Sequence, residues 1–123
     1  MNYRNFVKSF SDCTKRETFN VGSCNQFVLR NEPEKYHSFG VRNVYANGKV
    51  WDGDTGVTSL FPDKGNYSKS EMLRENMYSC VIKLSYGAFD YYTGGDIPGF
   101  PRQGRPKWHD IETPVSDVVG NVE

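Results

Sequence analysis

Apolar and polar residues alternate over residues 38–45, and the alternation resumes at residues 50–51. A period of two residues is typical of β-strands that are buried on one face. Asn47 and Gly48 lie between the two segments. Asn-Gly favours a two-residue hairpin turn because both turn residues must adopt positive φ. The pattern therefore predicts a β-hairpin in the middle of the chain.

A second pair of β-prone segments lies at residues 78–85 and 88–93, with a turn expected at Tyr86 and Gly87. This hairpin leads directly into the small residues before Asp96. Residues 25–30 also have the composition of a strand. The sequence thus predicts strands in three separate regions of the chain.

Helical spacing of apolar residues occurs near both ends, at residues 3–12 and 108–119. The second segment contains Pro114, which is tolerated best in the first turn of a helix. Residues 68–75 are compatible with a short helical turn. Proline and glycine indicate loops at residues 31–35 and 97–106.

The composition supports a β-rich fold. Hydrophobic residues make up 37% of the 123 residues and aromatic residues 15%. Val, Ile and aromatic residues, which favour strands, greatly outnumber Ala, Leu and Met, which favour helices. We therefore expect one domain of the α+β class, with a short N-terminal helix and a short C-terminal helix.

The balance of charges does not favour a strongly charged binding partner. Lys and Arg number 15, as do Asp and Glu, so nucleic acid is not indicated as a partner. The basic residues in the loop 102–107 are expected to be solvated, with a phosphate contact as the alternative. The chain has neither an apolar run of about 18 residues, as a membrane span needs, nor a signal-peptide pattern. A cytoplasmic location is the default expectation.

Local metal and nucleophile motifs are weak. Cys13, Cys24 and Cys80 include no Cys-x-x-Cys pair and are expected to be interior or free thiols. His37 and His109 are expected to be exposed or hydrogen-bonded. The acidic residues of the segment 52–56 resemble a calcium loop only faintly, and a plain turn is the preferred interpretation.

A longer pattern covers residues 75–96 and combines an Asn-containing turn, a strand, a Tyr-Gly turn and a second strand that ends in Thr-Gly-Gly-Asp. This pattern resembles the metallo-β-lactamase superfamily, in the branch of the bacterial DNA-uptake competence proteins. The similarity is looser over residues 20–62 and 97–123. Thr-Gly-Gly-Asp carries one glycine more than the Thr-Gly-Asp of that branch. The resemblance implies a place for the chain in an αββα sandwich.

The resemblance also implies metal-dependent hydrolysis with zinc as the cofactor. In that superfamily a His-x-His-x-Asp-His motif, an Asp corresponding to Asp96 and a late His hold one or two metal ions. Zinc lowers the pKa of bound water towards 7 and polarises the bond that is cleaved. Asp96 is therefore the predicted metal ligand. Asn76 is at most a wall of the groove, in a turn where many members have a further histidine.

The chain has no His-x-His-x-Asp-His motif, and no late His follows Asp117. One carboxylate cannot hold a catalytic zinc, which needs three protein ligands and an open position. We therefore expect residues 1–123 to form a single partial metallo-β-lactamase-like domain that is inactive alone. Its substrate is unknown.

Two alternatives without catalysis are kept. The chain is either a β-rich binding module that presents aromatic side chains to a sugar or peptide, or an interaction protein that self-associates through exposed strand edges. The aromatic residues considered for binding are Trp51, Trp108, Tyr91 and Tyr92. The competing interpretation, which is favoured, is that these rings belong to the core.

Overall fold

The computed structural model describes residues 17–63, 65–71, 73–100 and 103–120. Five strands are present in this part of the chain: β1 (Phe39–Ala46), β2 (Lys49–Trp51), β3 (Val57–Ser59), β4 (Cys80–Tyr86) and β5 (Phe89–Thr93). They form one antiparallel sheet in the order β3-β2-β1-β4-β5. One α-helix, α1 (Glu112–Val119), follows near the C-terminal end. The predicted α+β class is confirmed.

The β1–β2 hairpin forms as predicted, with Ala46 paired with Lys49 across the turn. Asn47 and Gly48 have φ values of 51° and 77°, the left-handed conformation that this turn requires. Glycine is needed at position 48 for a second reason, because a Cβ there would overlap the ring of Phe61.

The β4–β5 hairpin is also confirmed, with small shifts at its boundaries. Strand β4 begins at Cys80 rather than at residue 78, because Glu75–Tyr78 form a 3-10 helix. Tyr86 stays in the strand and pairs with Phe89, so the turn consists of Gly87 and Ala88. This hairpin is joined to the rest of the sheet through pairing of β4 with β1.

The C-terminal helix is confirmed but starts later than predicted. Lys107–His109 form a separate 3-10 turn, and α1 begins at Glu112. Pro114 is the third residue of the helix, in the first turn, where a missing N–H breaks no intrahelical hydrogen bond. The Asp110 carboxylate caps this end by accepting a 3.0 Å hydrogen bond from the Thr113 N–H.

The core lies between the sheet and α1. Asn43 pairs with Ile82 and Tyr45 pairs with Val81, so a bulge at Val44 sends two consecutive apolar side chains into the core. The main buried cluster comprises Val44, Tyr45, Val50, Met77, Val81, Ile111, Val115 and Val119. Val115 and Val119 of α1 are four residues apart, as are Val115 and Ile111 just before the helix, so all three lie on the side of α1 that meets the sheet.

The opposite face of the sheet is less completely covered. Opposite residues of paired strands project on the same side, so Tyr86 and Phe89 share this face, as do Leu84 and Tyr91. Tyr36 packs at one end, with its ring 6.4 Å from that of Tyr86. Tyr86, Phe89 and Tyr91 nevertheless remain 46%, 47% and 50% exposed.

The predicted strand at residues 25–30 is wrong, because this segment consists of bends and irregular backbone. Its Gln26 amide donates to the Thr18 carbonyl at 2.7 Å. The N–H of Gly22, which precedes the segment, donates to the Asn43 carbonyl of β1. These contacts hold the region against the sheet without making it a strand.

Other expectations differ in extent or lie elsewhere. The short strand β3 was not predicted from the pattern. The predicted helical turn at 68–75 is a 3-10 helix at Lys69–Glu71, with another at Glu75–Tyr78. The predicted N-terminal helix at 3–12 lies outside the described residues. Within the described ranges there is no helix with the length and apolar character needed to cross a membrane.

Candidate functional site

The predicted ligand Asp96 lies just beyond the end of β5, after two glycines with different structural roles. A Cβ at the buried Gly94 would lie 3.3 Å from Val81 Cγ2, so a larger residue would crowd the core. Gly95 has a φ of 60°, in the left-handed region that favours glycine. The chain therefore turns sharply at the rim of the sheet and leaves Asp96 exposed.

Asn76 lies beside Asp96 at this rim. The Asn76 Nδ2 donates a 2.5 Å hydrogen bond to Asp96 Oδ2, although the two residues are 20 positions apart. Ser79 is also close, since its Oγ lies 3.4 Å from the position of a Cβ on Gly95. The turn before β4 and the turn after β5 thus meet at one point. The sequence pattern singled out Asp96 and Asn76 but did not predict the hydrogen bond between them.

The loop after Asp96 is fastened to the helix. The Pro98 carbonyl accepts hydrogen bonds from the N–H groups of Ile111 and Glu112, at 2.9 and 3.1 Å. A helix N-terminus has N–H groups without intrahelical partners, and a backbone carbonyl satisfies two of them here. The Glu112 carboxylate lies against Gly99. Burial, together with the charge of Glu112, raises the pKa of the nearby Tyr92 hydroxyl.

The residues around Asp96 do not fit a complete metal centre by themselves. Within the described ranges, no three His, Cys, Asp or Glu side chains are grouped so that they could hold an ion. Zinc requires at least three protein ligands. Asp96 provides one carboxylate, and its described neighbour Asn76 provides an amide that donates its N–H to that carboxylate.

Neither histidine contacts Asp96, so neither is positioned as a second ligand. His37 is exposed, in the turn region before β1. His109 is 5% exposed, and its Nε2 donates a 3.1 Å hydrogen bond to the Glu71 carbonyl, because a carbonyl oxygen can only accept. Both positions agree with the expectation of an exposed or a hydrogen-bonded histidine.

The described cysteines are free thiols, as expected. Cys24 and Cys80 are both exposed, and Cys13 lies outside the described residues. Partial burial raises the pKa of the Cys80 thiol. A raised pKa leaves less thiolate at neutral pH, which disfavours a nucleophilic role.

The acidic segment at 52–56 forms a turn that is closed by its own hydrogen bonds. The Asp52 Oδ1 accepts hydrogen bonds from the N–H groups of Asp54 and Gly56, at 2.9 and 3.0 Å. One carboxylate oxygen is thereby used to close the turn. The Trp51 indole N–H donates to the Asp54 carbonyl at 2.7 Å, which fixes the turn against β2.

The four aromatic residues considered for ligand binding have different surroundings. Trp51 carries the guanidinium of Arg42 over its ring, at 4.5 Å. Trp108 packs near Phe61 and the His109 ring, and both Trp108 and Tyr92 are half-buried. Tyr91 is 50% exposed. Among these four, the core interpretation therefore fits Trp108 and Tyr92 better than Tyr91.

A cavity of about 250 Å³ lies beside the loop that follows Asp96. It is lined by Arg74, Met77, Pro98, Gly99, Phe100, Arg105 and His109. Of the basic loop residues noted in the sequence, Arg105 is half-buried at this cavity and Lys107 is exposed, whereas Arg102 lies outside the described residues. Arg74 and His109 had no signal in the sequence that would connect them, because they come together only through the fold.

No protein-family model, curated protein or solved structure matches this chain.

Proposed function

We propose that this chain forms part of a metal-dependent hydrolase domain of the metallo-β-lactamase superfamily, with Asp96 as one ligand, and that it is inactive by itself. The position of Asp96 carries the proposal. Its carboxylate is exposed at the rim of a sheet, and the Asn76 amide holds one of its oxygens. The other oxygen, Oδ1, accepts no hydrogen bond from the described residues, so it is available to a cation.

The layers of the fold support the same proposal. Helix α1 covers one face of the sheet, whereas Tyr86, Phe89 and Tyr91 are about half exposed on the other. Large apolar side chains on a sheet face favour packing against another layer. In an αββα sandwich that layer is a second sheet. The remaining metal ligands would be provided by residues other than those of this chain.

The coding DNA on both sides of this reading frame gives the first test. The proposal requires codons for His-x-His-x-Asp-His on the upstream side and for a histidine on the downstream side, in frame or in an adjacent gene. Unrelated sequence on both sides would contradict it, because Asp96 would then have no partners for a metal centre.

A zinc titration tests the inactivity of this chain alone. Isothermal calorimetry should detect no stoichiometric site of submicromolar Kd, since one carboxylate cannot provide a zinc centre. In a longer protein that contains the histidine motif, Asp96→Asn should lower both the zinc content and the hydrolytic rate. Asp117→Asn, at an exposed position on α1, is the matched control and should change neither. Tight zinc binding by this chain alone, or equal effects of the two variants, would be contrary results.

A second candidate function is that of an interaction module without catalysis. Strand β5 is an outer strand of the sheet, and Phe89 and Tyr91 are 47% and 50% exposed on it. Exposed strand edges with apolar side chains promote self-association. Sedimentation velocity should then give a concentration-dependent dimer that Tyr91→Lys abolishes. A monomer at all concentrations would contradict this candidate.

A further inference from the structure

The cavity beside the loop 97–100 combines basic and aromatic residues on a concave surface. Arg74 and Arg105 both line it, and none of the described residues that line it is acidic. Arginine presents a planar fork of N–H donors that matches the oxygens of a phosphate group. One carboxylate, that of Glu112, contacts Gly99 of the wall. Two arginine residues therefore line the cavity, and the Glu112 carboxylate lies against its wall.

The wall of this cavity is held in place from several directions. His109, which is buried, is fixed by its hydrogen bond to the Glu71 carbonyl and by the Trp108 ring, whose centre is 4.2 Å away. Met77 is fully buried beneath it. The Pro98 carbonyl is tied to the first turn of α1. A wall that is already ordered loses little conformational entropy when a ligand binds.

Phe100 gives the cavity a second kind of contact. Its side chain is 93% exposed, the highest value among the large hydrophobic residues that the structure describes. An aromatic ring presented to solvent at the edge of a basic cavity is an arrangement that stacks with a planar ring of a ligand. The cavity volume of about 250 Å³ fits a phosphate group, with the rest of the ligand outside it.

We propose that this cavity binds the phosphate group of a small phosphate ester between Arg74 and Arg105, and that an aromatic ring of the same ligand stacks on Phe100. The site differs from the metal role of Asp96 and needs no metal ion. It also does not depend on whether the chain is part of a hydrolase. The ligand class is therefore a mononucleotide or a similar aromatic phosphate ester.

Calorimetry and NMR titration with inorganic phosphate, ribose 5-phosphate and uridine 5′-monophosphate test the proposal. The nucleotide should bind about fivefold or more tightly than ribose 5-phosphate, since stacking of one base contributes at least about that factor. Phe100→Ala should remove this difference while leaving ribose 5-phosphate binding unchanged. All three affinities should fall as the salt concentration rises.

The arginine variants separate specific binding from general charge. Arg74→Ala, and as a second variant Arg74→Gln, should weaken binding of all three probes about tenfold or more. Arg30→Ala is the matched control, because Arg30 is an exposed arginine that does not line the cavity. Folding of each variant is checked by circular dichroism. Equal binding of the two esters, or equal losses in the Arg74 and Arg30 variants, would overturn the proposal.

Discussion

Tyr45 shows how one polar atom is accommodated in the core. Its side chain is fully buried, and its hydroxyl donates to the Met77 carbonyl while accepting a 3.0 Å hydrogen bond from the Gly48 N–H. Tyr45→Phe leaves both backbone groups without this partner. Loss of a buried hydrogen bond costs about 1–3 kcal/mol. We expect the free energy of unfolding in urea to fall by about that amount, with an unchanged m-value.

Tyr86→Phe is the matched control for this variant, because Tyr86 is 46% exposed. Its free energy of unfolding should change by less than about 0.5 kcal/mol, as is usual for surface positions. Equal losses in the two variants would show that the buried hydroxyl has no special role.

The same hydroxyl gives a pH dependence at the alkaline end. Burial raises the pKa of Tyr45 from 10.0 to about 12. A group whose pKa is higher in the folded state stabilises the fold at pH values below its pKa in the unfolded state. For Tyr45 this contribution is lost as the pH rises from 10 to about 12. Ultraviolet titration of the tyrosinate signal should therefore contain one late component that is absent in Tyr45→Phe. An identical titration curve for the variant would be the contrary result.

At the scale of elements, Lys83 of β4 joins the hairpin to the helix. Its Nζ lies 2.8 Å from Asp90 Oδ2 on β5 and donates a 2.9 Å hydrogen bond to the Val119 carbonyl at the end of α1. A cation at this end also interacts favourably with the helix dipole. Lys83→Met should lower the free energy of unfolding by about 1–2 kcal/mol. Lys49→Met, at an exposed position on β2, should have little effect, and equal losses would refute this role of Lys83.

The Lys83–Asp90 pair also predicts an acid dependence. The hydrogen bond from Lys83 holds the pKa of the Asp90 carboxyl below its ordinary value of 3.8. A group whose pKa is lower in the folded state stabilises the fold at pH values above its pKa in the unfolded state. This contribution disappears as the pH falls through the pKa of the folded state. The difference in unfolding free energy between the native chain and Asp90→Asn should therefore shrink below about pH 4. A constant difference down to low pH would contradict this.

Local chemistry explains which elements the sequence could predict. Asn47-Gly48 and Pro114 have few conformational options, so the first hairpin and the first turn of α1 follow from them. Residues 25–30 have strand-like composition but no strand, because propensity is overridden by contacts with β1. Strand β3 is the opposite case, a strand that the sequence pattern did not predict. Its three residues are all exposed, so they show no alternation of apolar and polar positions.

The candidate site was predictable in part, because some of its residues also have local conformational preferences. The glycines before Asp96 indicate a turn at a strand end, so an exposed carboxylate there could be expected from the sequence. The Asn76 hydrogen bond and the cavity near Arg74 and His109 depend on long-range packing between separate turns. No local pattern encodes such contacts, since they arise from the register of β4 and the docking of α1.

For the molecule as a whole, the order of the strands predicts a gradient of local stability. Strand β1 is central and supplies Val44 and Tyr45 to the core, whereas β3 is an edge strand with only exposed residues. Amides that open only by global unfolding lie in the best-packed strands, and edge amides exchange through local fraying. Hydrogen exchange followed by NMR should therefore be slowest in β1 and β4 and much faster in β3. Because α1 packs on β1 and β2, removing its contact through Val115→Ala should accelerate exchange in β1 and leave the rate in β3 nearly unchanged. Uniform protection across all five strands would contradict this gradient.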